Sequence, residues 1–89
     1  MSAPLLSAER REARHLARRA VAVVFNEQLG RGPLRSEPLY SLDPIARLAL
    51  VCGIERQLGI TFTDEDIEFV ETETDLVERG VVALMRGGA

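Results

Sequence analysis

The residues best suited to covalent chemistry are a single cysteine, Cys52, and a single histidine, His15, in a sequence of 89 residues. Cys52 falls on the apolar side of a predicted helix, where a thiol without a nearby base is typical of a small core residue. His15 lies among arginines, which predicts a solvated imidazole. One cysteine and one histidine supply neither an internal disulfide nor the Cys and His ligands of a zinc site. The sequence therefore predicts a protein that is not an enzyme.

Carboxylates are the remaining candidates for a metal site, and they are densest at Asp64, Glu65 and Asp66. This run lacks the spacing and the glycine of a calcium-binding loop. Acidic side chains are also favoured in the first turn of a helix, where they face the positive end of the helix dipole. Because Thr63 precedes the run as a potential N-cap, we interpret the acids as a helix start and predict no metal site.

Charge is distributed unevenly along the chain, whose net charge is −3. Residues 1–36 contain seven Arg and three Glu, whereas residues 37–89 contain four Arg and eleven acids. We expect the basic first helix, with residues 1–19 as its Arg-rich N-terminal extension, to lie across the acidic remainder. Its arginines could instead contact nucleic-acid phosphates: Arg10, Arg11, Arg14, Arg18 and Arg19. The acidic remainder and the lack of aromatic residues in this stretch argue against nucleic acid.

The composition, 46% hydrophobic and 28% charged, is typical of a globular protein. The length predicts a single domain over residues 1–89. Its apolar tracts are too short to cross a bilayer, and Met1 to Leu6 do not resemble a signal peptide. We therefore expect a cytoplasmic protein without membrane association.

Helical spacing of apolar residues predicts a long first helix, which begins after Ser7 as N-cap and ends at Gly30. Residues 31–38 contain one Gly and two Pro, which indicates a loop. Three apolar side chains are expected to anchor this loop to the core: Leu34, Leu39 and Tyr40.

The second helix has clear boundary residues, with Asp43 as N-cap, Pro44 at the first helical position and Gly59 just past the end. Gly53 inside it indicates close approach by another helix. An apolar stripe along one face is predicted to be buried: Ile45, Leu48, Val51, Ile54 and Leu58. Leu50 and Cys52 broaden this stripe.

A short third helix is predicted after Thr63, with Ile67 and either Val70 or Phe69 facing inward. Thr72, with Asp75 three residues later, predicts the start of a fourth helix that ends before Gly87 and Gly88. The fold expected is all-α: a four-helix bundle with a long loop between helices 1 and 2 and a short third helix.

The motifs between residues 20 and 85 occur in a specific order: Asn26-Glu-Gln-Leu-Gly30, Leu42-Asp43, Ile54-Glu-Arg-Gln-Leu-Gly-Ile60, Thr63-Asp-Glu-Asp-Ile67 and Thr72-x-x-Asp-Leu-Val77. This arrangement resembles the acyl carrier proteins of fatty-acid and polyketide synthesis. The resemblance implies an acyl-carrier-protein-like bundle. It also implies partners among acyl-metabolism enzymes or another protein subunit.

The resemblance fails at the residue that carries the family's chemistry. In that family the second helix starts Asp-Ser-Leu, and the serine hydroxyl forms a phosphodiester with 4′-phosphopantetheine. Here the same position reads Asp43-Pro44-Ile45. Proline has no hydroxyl, so no phosphodiester can form there. The sequence therefore predicts an acyl-carrier-protein-like interaction module without a cofactor at Pro44.

A carrier modified at an unorthodox serine, Ser41, is the alternative, and only then would 4′-phosphopantetheine be a cofactor. A register with Ser41 at the family's serine position displaces the apolar stripe by three residues. It also places Pro44 inside the helix, at a cost of about 3 kcal/mol or more beyond the first turn.

The second departure from the family concerns the partner surface. Acyl carrier proteins usually present an acidic second helix to basic patches on their enzymes, but here that face carries Arg47, Glu55 and Arg56 and is net positive. The acids occur instead on the third helix. The predicted partner surface therefore combines both helices: Arg47, Glu55, Arg56, Asp64, Glu65 and Asp66.

Overall fold

Four α-helices make up the computed structural model, which describes residues 3–34 and 36–86, and their side chains from Ala8 onward. They are α1 (Ala3–Leu29), α2 (Pro44–Leu58), α3 (Asp64–Glu68) and α4 (Glu73–Met85). A 3₁₀ turn, Leu39–Ser41, lies in the loop between α1 and α2. The predicted all-α bundle, with a long first loop and a short third helix, is confirmed.

α1 begins earlier than the sequence predicts. Ser7 is not the N-cap, because the helix already starts at Ala3. Pro4 lies in the first turn, where its missing N–H has no intrahelical partner to lose. At 1.5 Å per residue the 27 residues of α1 span about 40 Å, about twice the length of α2 or α4. Ala13 is its first buried residue among the described side chains, which begin at Ala8.

The starts of the other helices agree with the predicted caps. The Asp43 carboxylate accepts a hydrogen bond from the Ile45 N–H at 3.1 Å, and Pro44 is the first residue of α2. Thr63 and Thr72 each form a capping box with the acid three residues later. Gly59 ends α2 in the left-handed conformation, at φ 66°. Gly87 and Gly88, predicted to follow α4, lie outside the described residues.

The core lies where α1 packs against α2 and α4. Small residues allow these helices to approach closely: a Cβ on Gly53 would lie 2.7 Å from Val24 Cγ1, and one on Gly80 would lie 3.2 Å from Ala17 Cβ. The prediction that Gly53 marks a close approach is therefore confirmed. The largest fully buried side chains come from all three helices: Val21, Val24, Phe25, Leu50, Ile54, Leu76 and Val81.

The loop between α1 and α2 is anchored differently from the prediction. Leu39 is buried, as expected, but Leu34 and Tyr40 are 60% and 74% exposed, so their assignment to the core is wrong. A buried carboxylate holds the loop instead. Glu37 accepts two hydrogen bonds from the Arg31 guanidinium, at 2.9 and 2.6 Å, and one from the Leu34 N–H at 3.1 Å.

The predicted apolar stripe of α2 is only partly buried. Ile54 is fully buried, but Ile45 and Leu48 are 77% and 63% exposed, which corrects the prediction for these two residues. The reason is geometric. α1 approaches α2 at Gly53, and this contact turns Leu50 and Ile54 inward. The side of α2 that carries Ile45 and Leu48 is left without a helix packed over it.

Candidate functional site

The exposed side of α2 borders a cavity of about 680 Å³, which lies between α2, α3 and the 3₁₀ turn. Leu50, Phe62 and Leu76 line it from the core, and Leu39 and Tyr40 line it from the turn. Ile67 and Val70 contribute from α3 and the residues that follow it. The cavity therefore has a largely apolar lining in a size range typical of ligand and anchor-residue pockets.

α2 contributes one wall of this cavity through Pro44, Arg47, Leu48, Val51 and Cys52. Arg47 is the only cationic residue among the described residues that line the cavity. Its Nε atom is enclosed and has no hydrogen-bond partner in the described part of the chain. A buried donor without an acceptor is unfavourable by about 1–3 kcal/mol. The Arg47 guanidinium also forms no ion pair within the described residues, so its charge remains available to an acceptor from outside the chain.

The opposite wall is acidic. Asp64, Glu68 and Glu71 line the cavity, and Glu65 is exposed on the same short helix. Within residues 3–34 and 36–86, none of these four carboxylates forms an ion pair or a side-chain hydrogen bond. Unpaired carboxylates beside an apolar surface favour a cationic partner. The predicted use of Asp64 and Glu65 as a surface is compatible with this geometry.

Asp66 does not belong to that surface, which corrects the prediction for this residue. It is 3% exposed, and Arg86 Nη2 donates to its Oδ2 atom at 3.0 Å. Arg79 Nη1 lies 3.5 Å from Oδ1, and the Thr63 N–H donates at 2.8 Å. Burial raises the pKa of Asp66, but the Thr63 and Arg86 hydrogen bonds outweigh it and lower the pKa to about 2. Asp66 therefore acts as a charged clasp between α3 and α4.

Glu55 and Arg56, also predicted as partner surface, differ from each other. The Glu55 carboxylate accepts a hydrogen bond from the Phe62 N–H at 2.8 Å, and its side of α2 lines the cavity. This contact fixes the segment that leads into α3. Arg56 is exposed and does not line the cavity. Of this predicted surface, Arg47 and Asp64 are brought to the cavity unpaired, whereas Glu55 already has an internal role.

The start of α2 offers no hydroxyl at the position where the family resemblance places its serine. Pro44 is exposed at the first helical position, directly after the Asp43 cap. Ser41 precedes the helix in the 3₁₀ turn, where it is exposed and its hydroxyl donates to the Pro38 carbonyl at 2.7 Å. The register that puts Ser41 in the helix is therefore not the one the chain adopts.

The other residues considered for chemistry are dispersed. Cys52 is half-buried in the cavity wall, and His15 is exposed on α1. Among the described residues, no three Cys, His, Asp or Glu side chains are grouped so as to hold a metal ion. Nor is any helix in this part of the chain long and apolar enough to cross a membrane.

The Arg-rich part of α1 contacts the acidic remainder at one described ion pair. Arg14 Nη2 lies 3.3 Å from Glu78 Oε1 on α4. Arg10, Arg11, Arg18 and Arg19 are exposed and form no ion pair within the described residues. The expectation that the basic helix lies across acidic residues therefore holds at Arg14 alone.

Sequence reasoning missed the Asp66 clasp and the cavity. A signal for the clasp exists, because Arg79 and Arg86 are seven residues apart on and just after α4 and share a face. The cavity has no such signal, since it depends on which side of α2 meets α1.

Comparisons with protein families, curated proteins and solved structures found no match to this chain.

Proposed function

We propose that this protein is an acyl-carrier-protein-like interaction module of acyl metabolism that carries no prosthetic group at the start of α2. It acts by binding a partner protein, and it is not an enzyme. The observation that carries this proposal is the combination at α2: Pro44 stands at the first helical position, and the apolar residues beside it are exposed.

Attachment of 4′-phosphopantetheine requires a nucleophilic hydroxyl, and Pro44 provides none. The Asp43 carboxylate already accepts a hydrogen bond from the Ile45 N–H, so this backbone donor at the helix N-terminus has its partner within the chain. Ser41 keeps a hydroxyl, but this hydroxyl donates to the Pro38 carbonyl. These contacts support a helix start with a structural role and no site for attaching the prosthetic group.

Binding is supported by exposed apolar area. Tyr40, Ile45 and Leu48 are each more than 60% exposed and surround Pro44 along the chain. Single exposed apolar side chains are ordinary, but a group beside a cavity of about 680 Å³ is typical of an interaction site. The acidic wall formed by Asp64, Glu68 and Glu71 adds charge that selects among partners.

The proposal is tested by intact mass after incubation with coenzyme A and a broad-specificity phosphopantetheinyl transferase. We expect the mass of the wild-type chain to stay unchanged. The matched variant Pro44→Ser restores a hydroxyl at the first helical position and should gain one phosphopantetheinyl group if the surrounding surface still suits the transferase. An unmodified Pro44→Ser protein would show that transferase recognition has been lost as well.

Modification of the wild-type chain would refute the proposal. Fragment mapping and the variant Ser41→Ala then decide the site. Loss of the added group in Ser41→Ala would establish the alternative function, a carrier modified at Ser41.

A further inference from the structure

We propose that the cavity between α2 and α3 is a groove for a basic amphipathic helix of a partner protein. This inference rests on the proposed function, because it names the kind of partner for that same surface. It is carried by three features found together among the described residues: apolar walls, carboxylates without ion pairs on one side, and an arginine without an ion pair on the other.

The apolar walls set the shape of the ligand. Leu48, Val51, Ile67 and Phe62 surround a space of about 680 Å³ that opens to solvent beside the exposed Tyr40. An amphipathic helix inserts side chains at positions i, i+3 or i+4 and i+7 into such a groove. The space suits roughly two or three of these anchors, in the volume range of small-molecule pockets.

The carboxylates set the charge of the ligand. Asp64, Glu68 and Glu71 line the groove on the α3 side, and no basic group of the described chain pairs with them. Lys or Arg residues that flank the anchors of an incoming helix meet these acids without displacing an internal ion pair. Asp66 is excluded from this role, because Arg79 and Arg86 already neutralise it.

Arg47 places a positive charge on the wall of the groove opposite the carboxylates. It lies on the α2 wall, and its guanidinium forms no ion pair within the described residues. A carboxylate on the far edge of the bound helix pairs with this guanidinium. The groove therefore distinguishes the two edges of an incoming helix, which fixes its orientation.

A long-chain carboxylate is the competing ligand for an apolar cavity of this size. Arg47 could pair with its head group, but among the described residues the lining contains one cation and four carboxylates: Glu55, Asp64, Glu68 and Glu71. The net negative lining disfavours an anionic lipid and favours a basic peptide. The two ligands give opposite results in the same experiment.

The experiment uses Cys52, the only cysteine in the chain, as a reporter inside the groove. Its rate of reaction with a thiol reagent is measured on the full chain with two synthetic helical peptides. Both peptides carry the same leucine face, but one is flanked by Lys and Arg and the other by Glu. The third probe is a straight-chain fatty acid. We expect saturating basic peptide to slow the labelling of Cys52 by about tenfold and the other two probes to leave it unchanged.

The double variant Glu68→Lys with Glu71→Lys tests the acidic wall. Both residues are exposed, so the fold is expected to tolerate the change. We expect the affinity for the basic peptide to fall by about tenfold, as two attractions become repulsions. Glu27→Lys on α1 is the matched control, since Glu27 is exposed and does not line the groove, and it should keep the wild-type affinity.

Equal protection by the basic and acidic peptides, protection by neither, or protection by the fatty acid alone would overturn the inference. Equal loss of affinity in the Glu68/Glu71 variant and the Glu27 control would do so too. These failures differ from failure of the proposed function, which is shown by a gain of phosphopantetheine in the wild-type chain. A chain that stays unmodified and binds no basic peptide loses only this inference.

Discussion

The two sides of α2 differ in how closely the rest of the protein packs against them. Toward α1, Gly53 and the fully buried Ile54 allow close helix packing without polar contacts. Toward α3, exposed Leu48 borders a cavity, and the facing helix is held to the bundle by the charged clasp of Asp66. The α1 side of α2 is therefore closely packed, whereas its α3 side borders an open cavity.

The largest effect is expected from removing the same kind of side chain on opposite sides of α2. Ile54→Ala leaves a cavity in the core and should lower the free energy of unfolding by about 2–5 kcal/mol. Leu48→Ala removes an exposed side chain and should change it by less than about 0.5 kcal/mol. Urea unfolding of both variants measures the difference. Equal losses would contradict the assignment of Leu48 to an unpacked face.

The next effect concerns the clasp and depends on pH. Because the pKa of Asp66 is lowered from its ordinary value to about 2, the ionised carboxylate stabilises the folded state at pH values above that ordinary pKa. This contribution, about 2 kcal/mol, is lost as the pH falls from about 4 to about 2. The wild-type chain should lose stability over that range, and Asp66→Asn should lack this component. A parallel acid response in wild type and Asp66→Asn would contradict the role of the clasp.

Glu37 is the internal control for the acid response. The Arg31 guanidinium also lowers the pKa of Glu37, so Glu37 contributes stability above its ordinary pKa that is lost as the pH falls. It lies in the loop between α1 and α2 and has no contact with the clasp. Asp66→Asn should therefore keep the part of the acid response that belongs to Glu37, and Glu37→Gln should remove it. Stability measured against pH in both single variants and the double variant separates the two.

A smaller effect is expected where α1 crosses α2. In Gly53→Ala the new Cβ would lie 2.7 Å from Val24 Cγ1, which forces a shift of a β-branched side chain. Overpacking costs about 1–3 kcal/mol, and the better helix propensity of alanine offsets about 1 kcal/mol. We expect a net loss of about 1 kcal/mol in chemical denaturation. Gly32→Ala is the matched control, because nothing lies within 4 Å of its Cβ position, and its stability should not fall.

The boundaries of α2, α3 and α4 were predictable because local chemistry determines them. Asp43, Thr63 and Thr72 cap helices through contacts within three residues of themselves. The start of α1 was not predictable in this way, because Ser7 is a plausible N-cap but lies inside the helix. A capping residue in the sequence indicates where a helix can begin, but the helix can still begin further toward the N-terminus.

The candidate site was predictable in part. Arg47 and Asp64 were expected at a partner surface and line the cavity, but Asp66 is buried by arginines distant in sequence. Ile45 and Leu48 were expected in the core, since α2 is apolar on more than one side and periodicity does not say which side meets α1. Long-range packing decides this, and the sequence of one helix does not contain it.

In the proposed function, the open side of α2 is the surface that binds the partner protein. A photo-crosslinking residue at Leu48, compared with one at the exposed Val82 on α4, tests it in the cells that make the protein. We expect position 48 to crosslink a discrete protein that position 82 does not, and the purified partner to bind the wild-type chain but not Leu48→Ser. Crosslinks of equal yield at both positions, or a partner that binds Leu48→Ser as well as wild type, would contradict the account.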